Sequence, residues 1–333
     1  MLGEIRQSRL LGLLVAAVSS LFLFSLLFGS QAIPVFQTLQ ETFDDTSSVL
    51  ALILTEVRLP RALIALFAGA TLGLCGAAMQ AMLRNPLASP GLIGSASGAA
   101  LGAVIALYFG SAALSQFSLP LGGILGSLGA TLLVYLLAGR NAGTLTLILA
   151  GVAINSLTLA LISLLLNLAP SPYAVQEIVL WMMGSLSNSS MENFWIMLPG
   201  TLLGWMLLLR VGRALDALTL GEETAQSMGI DLPRLRWRIF LAVALAVGSA
   251  VSVTGAIGFI GLVVPHMLRP FVGYQPGRLL AASALGGAIL LLAADILVRL
   301  LPAQTEIKVG VVTALVGAPF FLYLIIKSRR YSQ

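Results

Sequence analysis

Charge is scarce in this chain of 333 residues: 18 Lys and Arg with 13 Asp and Glu make up only 9% of it. A soluble domain carries roughly 25% charged residues, so an ordinary water-soluble enzyme is excluded. Cys75 is the only cysteine, which rules out an internal disulfide and a thiolate metal cluster. His266 is also single, so there is no multi-histidine metal or redox centre. Lysine occurs only as Lys308 and Lys327, and neither follows a glycine-rich loop. With no G-x-x-x-x-G-K-[ST], the chain cannot hold ATP through a P-loop. H-E-x-x-H, G-x-S-x-G and paired intramembrane carboxylates are missing too, which leaves a membrane hydrolase nothing to work with.

Apolar sequence is what the chain has. It is 58% hydrophobic with a mean hydropathy of +1.00. At about 20 apolar residues per crossing, ten crossings use nearly all of that, so the chain is a single transmembrane domain over 1–333. Polar and Gly/Pro breaks divide it into runs near Leu10–Ser30, Leu59–Leu83, Leu92–Gly110, Leu119–Ala138, Leu145–Leu168, Phe194–Leu209, Ile239–Thr254, Ile257–Phe271, Leu279–Leu300 and Ile307–Ile326. The first is too long for a signal-peptide core and is taken as a retained helix. The pair around Gly255 is counted as two, with nine crossings as the fallback.

The positive charges test this layout. With the N-terminus cytoplasmic, alternation puts Arg6, Arg9, Arg84, Arg140, Arg210, Arg213, Arg234, Arg236, Arg238, Arg269, Arg278, Lys327, Arg329 and Arg330 inside. Only Arg58, Arg61, Arg299 and Lys308 fall outside, as the positive-inside rule asks. This asymmetry explains the pI near 9.8 without invoking nucleic acid. Nine crossings would largely destroy it. Ten crossings with both termini cytoplasmic is therefore the expected layout.

Two of the outer loops are distinctive, 31–57 and 169–193. The first is acidic, with the composition for a short amphipathic helix; the second contains Pro170, Pro172 and WMMGSLSNSS. The inner loop, 210–238, contains Thr219-Leu220-Gly221-Glu222, a capping-box pattern, and Gly229, a helix stop. Between them a helix is expected over Leu220–Met228. It is too short to stand alone, so it should rest on this chain or on a separate subunit. A weak repeat at an offset of 185 pairs Gly73, Gly76, Met82, Leu83, Arg84 and Gly102 with Gly258, Gly261, Met267, Leu268, Arg269 and Gly287. Duplicated halves are common in transporters, although glycine-rich helix ends also match by chance. Gly94–Gly102 and Gly122–Gly129 suit close helix packing.

The few charges are informative. Asp295 is the main ionisable candidate within the spans, and an ion-driven carrier usually keeps more. Energy is therefore expected from outside the bilayer. Arg58 and Arg61 share a face at the start of the second apolar run, with Pro60 in its first turn. There they oppose both the helix dipole and the charge bias. That suggests an acidic partner, with lipid headgroups or Glu56 as the alternative. Arg299 either joins them or pairs with Asp295 one turn earlier.

Over EVRLPRALIALFAGATLGLCGAAMQAMLRNPLASPGLIG (Glu56–Gly94) the chain resembles the permeases of iron-siderophore, haem and cobalamin ABC importers of the type II kind. The resemblance continues at Leu220–Gly229, Gly255–Pro270, Ala294–Ile296 and Val309–Ile325, and it covers nearly the whole length. It implies an all-α integral membrane protein with ten transmembrane helices. It also implies a homodimer in the bacterial inner membrane, with two cytoplasmic ATPase subunits and a periplasmic substrate-binding protein. ATP and magnesium would sit on the ATPase, leaving no cofactor or metal on this chain.

Residue by residue, the resemblance assigns docking of the binding protein to Arg58, Arg61 and Arg299. It assigns coupling to the ATPase to Leu220, Gly221, Glu222, Glu223 and Gly229, within a loop matching Leu220–Asp231. It places Asn141, Gly143 and Thr144 near an inner gate, with Asn155 and Ser156 further along the pathway. His266 falls in a G-L-V-x-P-H motif, where a structural role outweighs haem ligation. One departure stands out: Glu306-Ile-Lys-Val-Gly310 has Lys308 where the family usually has proline. The expected function is ATP-driven import of an iron-siderophore by alternating access, with haem or cobalamin as alternatives. A partner-independent secondary carrier is the competing class.

Overall fold

The computed structural model describes residues 2–28, 48–109, 117–139, 142–301 and 307–329. The described residues are almost all helical, with no strand. In chain order the helices are α1 (Leu2–Leu27), α2 (Val49–Met82), α3 (Ser95–Tyr108), α4 (Ser118–Ala138), α5 (Thr144–Asn167), α6 (Pro172–Met182) and α7 (Met191–Leu208). They continue with α8 (Gly212–Leu218), α9 (Glu222–Ser227), α10 (Leu232–Thr254), α11 (Ile260–Leu268), α12 (Pro276–Leu300) and α13 (Val309–Arg329). By length and composition, α1, α2, α4, α5, α10 and α12 can cross a membrane, and α7 with α8, bent by 53°, would make a seventh if the pair is one broken span. Ser95–Tyr108, Ile260–Val272 and Val309–Tyr323 are shorter apolar helices. Each of the ten apolar runs contains a helix.

Helices α2 and α10 form the centre and α1 lies on the periphery. Backbones meet where glycines align. A methyl on Gly73 would overlap the Ser283 carbonyl of α12, and one on Gly102 the Gly122 carbonyl of α4. In the same way Gly76 lies against the backbone of Gly261, so two members of the sequence repeat touch each other. Beyond that point the repeat diverges, because Gly73 lies within α2 whereas Gly258 lies in the non-helical stretch before α11. The split at Gly255 is real: α10 ends there, and Phe259 at φ +66° starts α11.

Several boundaries differ from the expected ones. The second crossing starts at Val49, where Ser48 Oγ accepts from Ala51 N, so Pro60 is not in a first turn. A π-helical turn over Ile53–Arg58 ends two residues before Pro60, and such widening is one way a long helix absorbs a local irregularity. Most of the amphipathic segment expected in 31–57 lies outside the described residues. Loop 169–193 contains α6, because Ser171 caps it and Pro172 needs no N–H bond at N1. The capping box at Thr219 does not form: its hydroxyl donates to the Asp216 carbonyl at 2.6 Å. Gly221 takes φ +109°, which no helix interior accommodates, so α9 starts at Glu222 rather than Leu220. Gly229 does stop it, with φ +85° and Ile230 N bonded back to Ala225 O. Asp231 then caps α10, so Arg234, Arg236 and Arg238 are helical rather than loop residues.

Candidate translocation and coupling site

Two polar clusters stand out, one joining α5, α9 and α10 and the other joining α1, α2 and α12. In the first, Glu222 opens α9 with its carboxylate 2.9 Å from Arg236 Nη2 on α10. Thr144 Oγ1, at the start of α5, lies 3.5 Å from the same Glu222 oxygen. Arg236 Nη1 donates to the Ala142 carbonyl at 2.6 Å, just ahead of Gly143 and Thr144. The structure therefore joins residues from two groups far apart in sequence, Glu222 from the one expected to couple and Thr144 from the one expected at a gate, with Gly143 next to the bonded Ala142. Asn141 lies outside the described residues. Leu220 and Glu223 are exposed, and Gly221 and Gly229 shape the two ends of α9.

In the second, near the C-terminal end of α12, Asp295 is fully buried between two guanidinium groups. Arg61 Nε donates to its Oδ1 at 2.8 Å, and Arg299 Nε lies 3.1 Å from its Oδ2. Arg299 therefore makes the intrahelical pair that was one of its two readings. Its Nη1 also donates to the Ser25 and Phe28 carbonyls, and Nη2 to Ser25 Oγ at 2.6 Å. Arg58 Nη1 donates to the Leu26 and Leu27 carbonyls at 3.0 and 2.7 Å. Four carbonyls at the end of α1, left over by its own ladder, are thus taken up by two cations. This corrects the dipole argument. Arg58 is far from the start of α2 and sits instead at the negative end of α1, where positive charge is favourable.

Lys308 Nζ lies 3.5 Å from Ser185 Oγ, which ties the residue in the proline position to segment 169–193. The His266 ring packs edge-on against Phe320 at 5.9 Å. Among the described residues no group of three or more His, Cys, Asp or Glu could hold a metal ion.

Helix α5 buries only the stripe Leu147, Gly151, Ile154, Thr158 and Ile162. Its other side leaves Leu145, Leu149, Val152, Ser156 and Leu159 exposed, with Asn155 partly covered. The described residues expected at a gate and along a pathway, Gly143, Thr144, Asn155 and Ser156, thus lie at the start of or along a helix with a long, uncharged open face.

Residues 14–327 match the model of the FecCD transport family. The chain belongs to that family. It is 38% identical over 334 residues to the hemin transport system permease protein HmuU of Yersinia pestis, covering 98% of each chain. It is 36% identical to the vitamin B12 import system permease protein BtuC of Vibrio cholerae, over 86% of each. A solved structure described as an inward-facing conformation of a metal-chelate type ABC transporter superposes with a TM-score of 0.86 at 33% identity. It covers 96% of this chain and 99% of the other. The chain is an ABC-importer permease, a transport component rather than an enzyme. Membership in the FecCD family implies ATPase and substrate-binding partners and an embedded position in a membrane.

Within this FecCD chain, sequence reasoning missed Arg236, which it counted only as a loop charge. The signal was there. From Leu232 onward, helical spacing puts Arg236 on the face of Leu232, Leu235, Ile239 and Phe240, all buried, while Arg234 and Arg238 point the other way. A cation in the middle of an apolar stripe needs an acidic partner. Gln80 was also missed. It donates to the Leu262 carbonyl at 3.1 Å and accepts from Arg269, tying α2 to α11.

Proposed function

We propose that the chain is one half of a homodimeric importer that moves a metal chelate across the bacterial inner membrane by alternating access. The open face of α5 carries this reading. It is apolar with interspersed hydroxyls and no charge, which suits a bulky cargo held by weak, distributed contacts. In this reading the ten apolar helices cross the membrane with both termini in the cytoplasm, and two α5 faces enclose the pathway. Haemin comes first among the cargoes because the haemin permease matches end to end; cobalamin and the ferric siderophores of the sequence reading are the other members of the class.

The cytoplasmic ATPase takes the Leu220–Gly229 segment, and its closure moves α9. Through Glu222 and Arg236 that displacement reaches residues 142–144, biasing the start of α5 between discrete packings. At the periplasmic end, Arg58, Arg61 and Arg299 brace α1, α2 and α12 beneath the surface on which the binding protein docks. Uptake of labelled haemin, cobalamin and ferric siderophore by a strain dependent on this permease tests the assignment. Accumulation of one chelate that stops when the ATPase is inactivated is the expected result. Transport by the purified chain alone on an ion gradient would overturn it.

A further inference from the structure

A second feature stands apart from the pathway. Between the end of α7, the start of α12 and the middle of α2 lies a cavity of about 750 Å³. It opens because the chain bends by 53° between α7 and α8. Arg210 sits at that bend with φ +66°, a backbone conformation that costs an ordinary side chain about 1–2 kcal/mol. The bend thus fixes Arg210 at the cavity mouth, where Arg213 of α8 and Arg278 of α12 join it.

Among the described residues lining the cavity, Asp216 is the one acid, and its carboxylate is already committed. Its Oδ1 accepts from Gly277 N at 2.7 Å and its Oδ2 from Gln275 Nε2 at 3.0 Å, at the start of α12. Three cations therefore face one carboxylate, and that carboxylate serves as a helix cap. The inner wall is different in kind. Leu74, Leu208 and Trp205 line it, and the Trp205 indole N–H is held by Thr71 Oγ1 at 3.0 Å.

A basic mouth over an apolar wall, set between membrane-spanning helices, has the polarity profile of a phospholipid. We propose that this cavity binds an anionic phospholipid, its phosphodiester between Arg210, Arg213 and Arg278 and an acyl chain along Leu74, Trp205 and Leu208. Basic recesses between spanning helices recognise anionic headgroups through this combination of charge and depth. A soluble phosphate would use the arginines and leave the apolar wall wet. A segment of the ATPase would be expected on the exposed side of α9, not between α2 and α12. The site is independent of which chelate the protein carries.

Trp205 provides the readout. The full chain is placed in nanodiscs of phosphatidylcholine containing either brominated phosphatidylglycerol or brominated phosphatidylcholine, and tryptophan quenching is titrated. Stronger quenching by the anionic lipid is expected, and Trp205→Phe should remove that excess. Each of Arg210→Gln, Arg213→Gln and Arg278→Gln should weaken the apparent affinity about fivefold. The corresponding Lys substitutions keep the charge and should retain most of the preference, which separates loss of binding from loss of fold. Equal quenching by the two lipids overturns the proposal, and so does a preference that survives all three Gln substitutions together. Displacement of the brominated lipid by glycerol 3-phosphate would make this a soluble-anion site, and displacement by the ATPase subunit would make it a protein contact; either result also overturns the lipid assignment.

Discussion

Glu222 and Arg236 form an ion pair of 2.9 Å between the six-residue helix α9 and the long helix α10. Arg236 also donates to the Ala142 carbonyl, two residues before α5 begins. One guanidinium therefore touches both α9, proposed above to meet the ATPase, and the residues that lead into α5. Its environment gives it weight. The Arg236 side chain is 11% exposed, against 84% for Arg234 in its pair with Asp231. An exposed pair is worth about 0–1 kcal/mol, whereas hydrogen bonds to partly buried charged groups contribute about 1.5–3 kcal/mol.

Arg236→Gln should therefore separate hydrolysis from transport. In vesicles holding the permease, its ATPase and its binding protein, ATP turnover should persist while uptake per ATP falls at least about tenfold, since tenfold is the equivalent of about 1.4 kcal/mol and the hydrogen-bond range above starts just beyond it. Glu222→Gln should act in the same direction. Glu223 is exposed, so Glu223→Gln should change ATPase assembly without changing that ratio. Uptake and hydrolysis that fall together in proportion would show that Arg236 transmits nothing.

Asp295 should be needed for stability. It lies between Arg61 and Arg299, and removing one member of a buried ion cluster costs about 3–5 kcal/mol because the remaining charges lose their partner. Asp295→Asn should lower the thermal midpoint of the detergent-purified protein far more than Asp231→Asn, which breaks an exposed pair. Replacing Asp295 and Arg61 together by Leu and Met should recover part of the loss. A double variant less stable than Asp295→Asn would mean that the attraction outweighs the desolvation.

Much of this was legible in sequence, and for a physical reason. Crossing a bilayer forces long apolar runs, so every run from Leu10–Ser30 to Ile307–Ile326 marked a helix. What was not legible depended on contacts between distant residues. Arg58 looked misplaced until its guanidinium was found on the end of α1, since only the fold reveals that Leu26 and Leu27 lie beside it. The link from Glu222 to Thr144 spans 78 residues and leaves no spacing pattern. Helix α6 is a different case, because Ser171-Pro172 announced it and the prolines were taken as loop signals instead.

The glycines should divide into two classes on substitution. A methyl on Gly76 would run into the Gly261 backbone, whereas one on Gly129 meets nothing within 4 Å. Overpacking of this kind costs about 1–3 kcal/mol and sometimes more, so Gly76→Ala should reduce the yield of monodisperse protein and its thermal midpoint. Gly129→Ala should lie within about 0.5 kcal/mol of the parent. Equal tolerance at both sites would mean that α2 and α11 slide apart at little cost.

Arg58 allows bracing to be separated from docking. Its Nη1 serves the Leu26 and Leu27 carbonyls, and the residue is only 6% exposed, so little of its charge faces outward. Arg58→Gln should therefore cost about 1.5–3 kcal/mol of stability by leaving those carbonyls short of a donor. Affinity for the binding protein should fall only indirectly, as the ends of α1 and α2 loosen. Thermal unfolding gives the first quantity, and surface-based binding of the purified binding protein to nanodisc-held permease gives the second. A direct docking role predicts the reverse pattern, with stability unchanged and an affinity loss that steepens at low salt, where long-range attraction between opposite charges is least screened.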